Sequence, residues 1–349
     1  MSIRFATERE VSNWDDLLTK NPDGGNVFQT HEMAETKRLG GAWRPRFIIA
    51  NGVAIMAIER RVFSHGTLWY VPKGPGVTSV DEMAHLVPEL QTFAKQHGVF
   101  AVKLEPEIIE TAAAKKSLLQ LGLVPTPAVQ PNASTVIIDL SPSLDAVLAG
   151  LNQKGRHAIN RAKRDGVTAV PVELTDANMR IMFDLLTATA AGRFESSLRP
   201  YAYYKHFWQH FVASGHGQLF FAYVDSTVVA AAYCVLLGKK GLYKDGASIR
   251  EKITYGASHL LQWEIISWMK SQGATSYDLC GSPHSSVIND PSVSFHNIGR
   301  FKTSFNKHVT DYVGAYDLVV NPRAYRRWQQ YGQRLFVSLT WRLKKRQWY

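Results

Sequence analysis

The chain has 349 residues, 45% of them hydrophobic and 20% charged, which is enough for about two globular domains and excludes a disordered or fibrous protein. Lysine and arginine number 40 against 29 aspartate and glutamate residues, and the net charge of +11 favours polyanionic partners such as tRNA, nucleotide phosphates or an anionic membrane. Two cysteines exclude a disulfide scaffold, the N-terminus has no apolar signal-peptide core, and the longest apolar run, 228–237, is far short of the ~20 residues that cross a bilayer. A cytoplasmic protein is expected.

In the first half of the chain, the pattern predicts a hairpin followed by a strand–helix–strand unit. The predicted strands cover 46–50, 53–62, 68–71 and 100–104, and the predicted helix covers about 81–96. Gly98 stands between that helix and the last strand, where a glycine takes up the left-handed conformation that ends a helix.

The same layout recurs in the second half. The predicted strands cover 135–140, 218–224, 227–236, 241–244 and 275–279, with one helix beginning after Ser141-Pro142 and another over about 257–271. Gly273 takes the place of Gly98. A repeated strand–helix–strand unit implies two related domains of the mixed α/β class. We place them at 1–134 and 135–317, followed by a C-terminal segment, 318–349, that is expected to be helical and to pack on the first domain.

Searches for common catalytic and cofactor-binding motifs are negative. The sequence has no GxGxxG after a strand, no GxxxxGK[ST], no HExxH and no CxxC, and none of its 12 histidines has metal-ligand spacing beside a third ligand. The segment 281–284, Gly-Ser-Pro-His, lacks the GxSxG turn of a serine nucleophile and is interpreted as a loop at a strand end. We therefore expect neither a metal ion nor an organic cofactor.

Two cationic segments have both a structural and a functional interpretation. A short amphipathic helix over 29–37 has Lys37 in its last turn, where a lysine is ordinarily a solvated charge favoured by the helix dipole. The segment 152–166 has five cations before its first acidic residue, and such a run is either a solvated helix face or a clamp for phosphates. The candidates for tRNA or phosphate binding in this segment are Lys154, Arg156, Arg161 and Arg164.

Two further segments combine a cation with aromatic residues. Arg199 and Tyr203 are four positions apart, so in a helix they would share a face and could hold a phosphate or carboxylate; the alternative is a surface arginine over a packed tyrosine. The alternation over 299–305 predicts a strand in which Lys302 points opposite to Phe301. A lysine between aromatic residues either extends its charge to solvent or acts as an electrostatic catalyst.

The C-terminal segment, 318–349, has eight basic residues and no acidic one, and aromatic residues are interleaved with them. This composition suits a membrane interface or a nucleic-acid surface. The alternative is a helix whose aromatic residues dock on the protein while its charges face solvent.

Several motifs recur in an order that resembles one known family. They are Phe28-Gln29 with Lys37 and Trp43, Tyr70-Val-Pro-Lys-Gly-Pro75, Lys103-Leu-Glu-Pro106, Gln130-Pro131, 156–166, 243–248, Leu261-Gln-Trp-Glu264, 277–281 and Phe301-Lys302. Together they are similar to the Fem family of peptidoglycan-bridge aminoacyltransferases, the non-ribosomal peptidyltransferases, over roughly residues 28–320. The resemblance implies two tandem GNAT (acetyltransferase-like) domains, in agreement with the duplication. It also implies transfer of an amino acid from aminoacyl-tRNA to the stem peptide of a peptidoglycan precursor, either UDP-N-acetylmuramoyl-pentapeptide or lipid II.

The resemblance also implies roles for single residues. The binding site for the precursor and its diphosphate would be formed by Lys37, Arg199, Tyr203, Tyr243 and Phe301. Lys302 would stabilise the oxyanion that forms when the acceptor amine attacks the ester. Glu105 would be the general base, although the family more often has aspartate there, and a side chain one methylene longer differs in reach.

The segment 174–204 has no uninterrupted heptad run, so we do not expect the long helical hairpin of some family members. The expectation is a monomeric cytoplasmic enzyme, with peripheral contact to the inner membrane surface as an option. Two alternatives stay open. One is an acyl-CoA-dependent N-acyltransferase that holds pyrophosphate at 250–257, before the predicted helix. The other is a non-catalytic RNA- or membrane-binding protein.

Overall fold

The computed structural model describes residues 3–39, 43–63, 65–130, 133–191, 198–249, 251, 254–344 and 348, without the side chains of 337, 341, 343 and 344. The chain forms two compact units, Met1–Ala133 with Tyr312–Tyr349, and Ser134–Asp311. We call them the first and the second domain. In the described ranges, no helix combines the length and the apolar character needed to cross a membrane.

The first domain is built on a seven-stranded mixed sheet. Its strands are β1 (Ile3–Phe5), β2 (Arg44–Ala50), β3 (Val53–Val62), β4 (Gly66–Val71), β5 (Val99–Leu104), β6 (Leu123–Thr126) and β14 (Ala315–Val319). They lie in the order β1-β2-β3-β4-β5-β14-β6. Neighbouring strands are antiparallel, except that β4 and β5 run parallel because a helix connects them.

That helix shows how the local sequence defines an element. The helices of this domain are α1 (Glu8–Ser12), α2 (Trp14–Leu18), α3 (His31–Leu39), α4 (Val80–Gln96), α5 (Ala112–Gln120), α12 (Pro322–Arg327) and α13 (Gln333–Lys344). In α4, Ser79 and Glu82 form a capping box, since each side chain accepts a hydrogen bond from the other's backbone N–H. The buried face of α4, with Met83 and Leu90, packs on Trp69 and its neighbours in the sheet.

The second domain has a second seven-stranded mixed sheet. Its strands are β7 (Ser134–Asp139), β8 (Thr168–Val172), β9 (Gly217–Val224), β10 (Thr227–Leu237), β11 (Lys240–Ser248), β12 (Ser276–Gly281) and β13 (Thr310–Asp311). They lie in the order β13-β7-β12-β11-β10-β9-β8, and only β11 and β12 are parallel neighbours. Its helices are α6 (Leu144–Gly150), α7 (Gln153–Arg164), α8 (Asp176–Ala190), α9 (Tyr201–Ala213), α10 (Ala257–Ser271) and α11 (His296–Lys302).

Helices cover both faces of this second sheet. Along β10, Ala230, Ala232 and Cys234 belong to the core that α10 fills. The alternate residue Tyr233 packs instead against Phe207 and Trp208 of α9. A strand that is buried on both faces is apolar throughout, which explains the long hydrophobic run of β10 in the sequence.

The predicted duplication and the mixed α/β class are confirmed. The units β4–α4–β5 and β11–α10–β12 each consist of two parallel strands joined by one helix. Each of the two helices is followed by a glycine with positive φ, Gly98 at +68° and Gly273 at +85°. The predicted bounds of α10 agree with the structure at both ends.

Two predictions differ from the structure. The segment 299–305 is not a strand, because α11 extends over His296–Lys302. Phe301 and Phe305 are four positions apart, a spacing that also suits a helical turn, and their rings are in contact with centroids 5.4 Å apart. Residues 312–317, expected in the second domain, belong to the first, where β14 pairs with β5 and β6 and buries Tyr316 and Leu318.

Candidate active site

The parallel strands of the second domain are paired over a shorter length than those of the first. In the first domain β4 pairs with β5 through Val71 and Leu104, the ends of both strands. In the second domain the pairing of β11 with β12 ends at Leu242 and Asp278, although β11 continues to Ser248. Backbone N–H and C=O groups on such edges are available to an extended substrate. The end of this pairing is the candidate site.

Lys302 lies at the end of β12. It is the last residue of α11, and its Nζ donates hydrogen bonds to the carbonyls of Cys280 at 3.0 Å and Gly281 at 2.6 Å. Its side chain is buried, with 7% of the residue exposed, and burial lowers the pKa of its ammonium group below the usual value. Carbonyl oxygens bind the protonated form of an amine, so this arrangement fixes a positive charge at the strand end.

The backbone at Cys280, whose carbonyl binds Lys302, has a strained conformation that neighbouring hydrogen bonds stabilise. Cys280 has a φ of +62°, in the left-handed region that non-glycine residues rarely adopt. The carboxylate of Asp278 accepts a hydrogen bond from the Cys280 N–H at 2.6 Å and another from the Thr135 hydroxyl of β7. Strain of this kind persists where the surroundings enforce it, which is common at functional sites.

Phe301 connects Lys302 to a cavity of about 300 Å³ within the second domain. Its ring contacts His259, and the His259 ring stacks on Phe305. Burial lowers the pKa of His259 to about 4, so this imidazole is neutral at pH 7. The cavity is lined by residues of β11, of α10 and of the segment before α10, among them Ser248, Thr254 and Gly256.

Arg199 and Tyr203 are in contact, but they do not share a helix. α9 begins at Tyr201, with Pro200 as its N-cap, so Arg199 lies before the helix. Its guanidinium group stacks over the Tyr203 ring, 4.7 Å from the centroid. The positions from 192 to 197, which precede this pair in the predicted segment, lie outside the described residues.

A partly buried ion pair beside Tyr243 is a feature that was not predicted from the sequence. Lys244 donates a hydrogen bond to Asp245 at 3.1 Å, and the Trp208 indole N–H donates to the same carboxylate at 3.0 Å. Although burial opposes the charge, the Asp245 carboxylate raises the pKa of Lys244 above its usual value. Lys244 occupies a β-bulge, since Cys234 pairs with Tyr243 while Tyr233 pairs with Asp245. The Lys-Asp dipeptide on a strand was the available signal, but burial of the pair depends on α9.

Lys244, Cys280 and Lys302 lie in one region of the second domain. Lys244 lies within electrostatic range of Tyr203 in α9 and of Cys280 in β12. Lys302 also lies within electrostatic range of Cys280. Burial raises the pKa of the Tyr243 phenol, which is therefore a neutral hydrogen-bonding group at pH 7. The structure thus brings the predicted residues Arg199, Tyr203, Tyr243 and Lys302 into one region of the second domain.

The basic helix α7 has both structural and exposed cations. Arg156 donates hydrogen bonds to the carbonyls of Ala149 at the end of α6 and of Leu151, so it supports the neighbouring turn. Arg161 pairs with Asp165 at 3.4 Å. Lys154 and Arg164 are exposed.

Lys37 and Glu105 both lie in the first domain. Lys37, in the last turn of α3, is buried rather than solvated. The Glu105 carboxylate, after β5, accepts four hydrogen bonds, from the Tyr70 hydroxyl at 2.7 Å and from the backbone N–H groups of Lys73, Val129 and Gln130. Four donors make this carboxylate an anchor for two loops.

Comparison with known proteins agrees with this fold. The family model described as an acetyltransferase (GNAT) domain matches residues 152–285, which include most of the second sheet. A crystal structure of FemX superposes with a TM-score of 0.79 at 18% identity, over 95% of this chain and all of that one. The structure of L-PGS from Bacillus licheniformis superposes with a TM-score of 0.54 at 15% identity, over 92% of this chain and 94% of that one.

Similarity to curated proteins covers nearly the whole chain. Lipid II:glycine glycyltransferase of Staphylococcus aureus (strain MRSA252) is 20% identical, over 95% of this chain and 97% of that protein. The alignment has 419 positions, more than the 349 residues here, so that relative has inserted segments that this chain lacks.

The fold and these comparisons define the class of protein, one with two mixed α/β domains, of which the second is matched by the acetyltransferase (GNAT) domain model. The described part of the chain contains no long helical hairpin. The predicted resemblance to the Fem family is confirmed, since FemX has the same fold. The curated relatives are named glycyltransferases, which agrees with the predicted enzyme class, an aminoacyltransferase.

Proposed function

We propose that this enzyme transfers an amino acid from aminoacyl-tRNA to an amino group on the stem peptide of a peptidoglycan precursor. The observation that supports the proposal most directly is the buried ammonium group of Lys302, held by two carbonyls at the point where the parallel strands of the second domain are no longer paired. The curated relatives, whose name specifies glycine and lipid II, support the transfer of an amino acid and the acceptor class. The net charge of +11 suits two polyanionic substrates.

In the proposed reaction, the acceptor amine attacks the carbonyl carbon of the aminoacyl ester. An amide bond forms, the ester bond to the terminal ribose breaks, and the proton lost by the amine goes to the leaving hydroxyl. Because an aminoacyl ester is already activated, positioning and stabilisation of the oxyanion supply most of the catalysis.

Lys302 is proposed as the oxyanion-stabilising residue. An ammonium group has three N–H donors. In the described part of the chain, two of them serve Cys280 and Gly281, so the third can bind an oxyanion. A charged donor stabilises an oxyanion far more strongly in a buried site than in water. Loss of such a donor typically lowers kcat ~100- to 1000-fold.

The remaining predicted residues are proposed to bind the precursor. Arg199, stacked on Tyr203, presents a planar guanidinium group of the kind that binds phosphate oxygens in pairs. Tyr243 would add a neutral hydroxyl donor in the same region. Lys37 lies in the first domain, and its role toward the diphosphate stays a prediction. Phe301 is proposed to shape the site beside Lys302.

A transfer assay tests the proposal. The purified protein is mixed with a pool of tRNAs charged with labelled amino acids, and with either UDP-N-acetylmuramoyl-pentapeptide or lipid II in detergent micelles. We expect label in one of the two precursors, and its loss after RNase treatment or in Lys302→Ala. Lys307→Ala is the matched control, because Lys307 is exposed and lies only five positions further along the chain.

Two results would contradict the proposal. Label in neither precursor, from a protein that melts cooperatively, would reject the acceptor class. Transfer from acyl-CoA without tRNA would favour the alternative donor, whose pyrophosphate would be held near the start of α10.

A further inference from the structure

The outer side of α13, the π-helical turn before it (Trp328–Gly332) and the turn between β3 and β4 carry exposed residues that the proposed reaction does not use. We call this surface the C-terminal face and define it by Phe63, Tyr331, Arg334, Leu335, Leu339 and Arg342. All six side chains are exposed, and all six belong to the first domain.

The opposite side of the C-terminal segment packs against other residues of the first domain. Phe336 of α13 contacts Trp328 and Trp348, with ring centroids 6.0 Å and 5.6 Å apart. The Trp348 ring lies under the Arg60 guanidinium group at 3.4 Å, and its carbonyl accepts a hydrogen bond from the Trp43 indole at 3.0 Å. The C-terminal segment therefore packs on the rest of the first domain through these aromatic residues, and the C-terminal face stays exposed.

The outward apolar residues are large and aligned. Tyr331 is 72% exposed, Leu335 54% and Leu339 40%. Leu335 and Leu339, four positions apart, lie on one side of α13, and Tyr331 lies about one turn before them in the π-helical turn. Phe63, 83% exposed, lies in the β3–β4 turn. Its neighbour His65 contacts Trp328 and Phe336, so the turn lies beside the helix. Aligned exposed apolar residues of this size usually mark a binding surface.

Basic residues accompany this apolar stripe. Arg334 and Arg342 are exposed near Leu335 and Leu339. They are eight positions apart, about 80° around the axis of α13, so both lie beside the exposed leucines. The segment 318–349 has eight basic residues and no acidic one. A helix with leucines and an aromatic residue on its outer side, bordered by arginines, has the composition of an interfacial membrane helix.

We propose that the C-terminal face docks on the surface of an anionic phospholipid bilayer. Phe63, Tyr331, Leu335 and Leu339 would enter the region between headgroups and acyl chains, while Arg334 and Arg342 would contact the lipid phosphates. A bilayer fits better than RNA, because leucine side chains neither pair with phosphates nor stack on bases as aromatic residues do. The proposal does not rest on the transfer reaction, since vesicle binding needs no substrate.

Co-sedimentation with vesicles tests the proposal. The full-length protein is mixed at low salt with vesicles of phosphatidylcholine alone, or of equal parts phosphatidylcholine and phosphatidylglycerol. We expect strong binding to the anionic vesicles only. Leu335→Ser with Leu339→Ser should lower the partition coefficient at least ~tenfold through lost apolar burial. Arg334→Glu with Arg342→Glu should lower it at least ~tenfold through lost charge attraction.

The matched control is Leu119→Ser with Lys116→Glu, which changes an exposed leucine and an exposed lysine on α5 of the same domain. It should leave vesicle binding unchanged, and thermal melting should show that all variants stay folded. Binding that is equal in the wild type and both face variants would overturn the proposal. So would a loss of tRNA binding in the leucine variant, by gel shift, without a loss of vesicle binding. Neither result bears on the transfer assay, so the two proposals fail separately.

Discussion

At the scale of single residues, the protonation of Lys302 predicts the alkaline side of the pH profile. Burial lowers its pKa below the 10.5 of an ordinary lysine. The ammonium form is complete well below that lowered pKa and is lost as the pH rises through it. We therefore expect kcat to decline at a pH below 10.5, measured in single turnovers corrected for spontaneous ester hydrolysis.

The matched variant for this test is Lys302→Arg. A guanidinium group keeps its proton throughout the range, so the alkaline decline should disappear even if the rate at neutral pH is lower. An unchanged decline in Lys302→Arg would show that another group titrates.

Glu105 is a residue whose predicted role as general base can be separated from its hydrogen bonding. Its carboxylate accepts hydrogen bonds from Tyr70, Lys73, Val129 and Gln130, and a base must release such donors to take up a proton. Glu105→Gln replaces one acceptor oxygen by a donor, so at least one buried donor loses its partner. We expect a loss of about 2 kcal/mol in unfolding free energy, measured by urea denaturation.

The transfer rate of the same variant decides between the two roles. If Glu105 only positions the two loops, the rate per folded molecule should fall less than ~tenfold. A fall of ~100-fold or more at unchanged stability would instead establish it as the base.

At the scale of elements, α10 has two glycines whose substitution should have unequal effects. Gly256, its N-cap, has a φ of +86°, and an added Cβ would lie 2.2 Å from the Ala158 carbonyl oxygen of α7. Gly273, beyond its other end, has a φ of +85°, and no described atom lies within 4 Å of such a Cβ. Gly273→Ala should cost about 1 to 2 kcal/mol through backbone strain alone.

Gly256→Ala should lower the free energy of unfolding by about 2 kcal/mol more than Gly273→Ala does, because the backbone of α7 must also move. Chemical denaturation of both variants measures the difference. If both substitutions lower the free energy of unfolding equally, the explanation by a clash with α7 is wrong.

The same elements show what a sequence can and cannot predict here. The strand–helix–strand units were predictable because glycine caps and alternation act locally, as at Gly98 and Gly273. The segment 299–305 was predicted wrongly because its two phenylalanines suit both a strand and a helical turn, and contact with His259 decides between them. Lys37 was not recognised as buried, nor Lys244 as partly buried, because their burial depends on elements distant in the sequence.

At the scale of the whole molecule, the positive charge is unevenly distributed. Eight basic residues without an acidic one lie in 318–349, against a net charge of +11 for the chain. In the second domain, the exposed cations Lys154 and Arg164 of α7 offer a separate site for phosphates. A polyanionic donor and an anionic membrane would therefore be attracted by different parts of the protein.

This separation predicts how the activity depends on salt. With tRNA as the donor, kcat/KM should fall at least ~tenfold between about 50 and 200 mM KCl, because bound phosphates displace counterions and salt opposes this, while kcat changes little. Lys154→Ala with Arg164→Ala should flatten the slope of log kcat/KM against log salt if α7 contacts tRNA. Arg334→Glu with Arg342→Glu should leave that slope unchanged and lower only vesicle binding. This assignment would be contradicted if the arginine variant of α13 flattened the slope and the α7 variant left it unchanged. That result would place the tRNA site in the C-terminal segment.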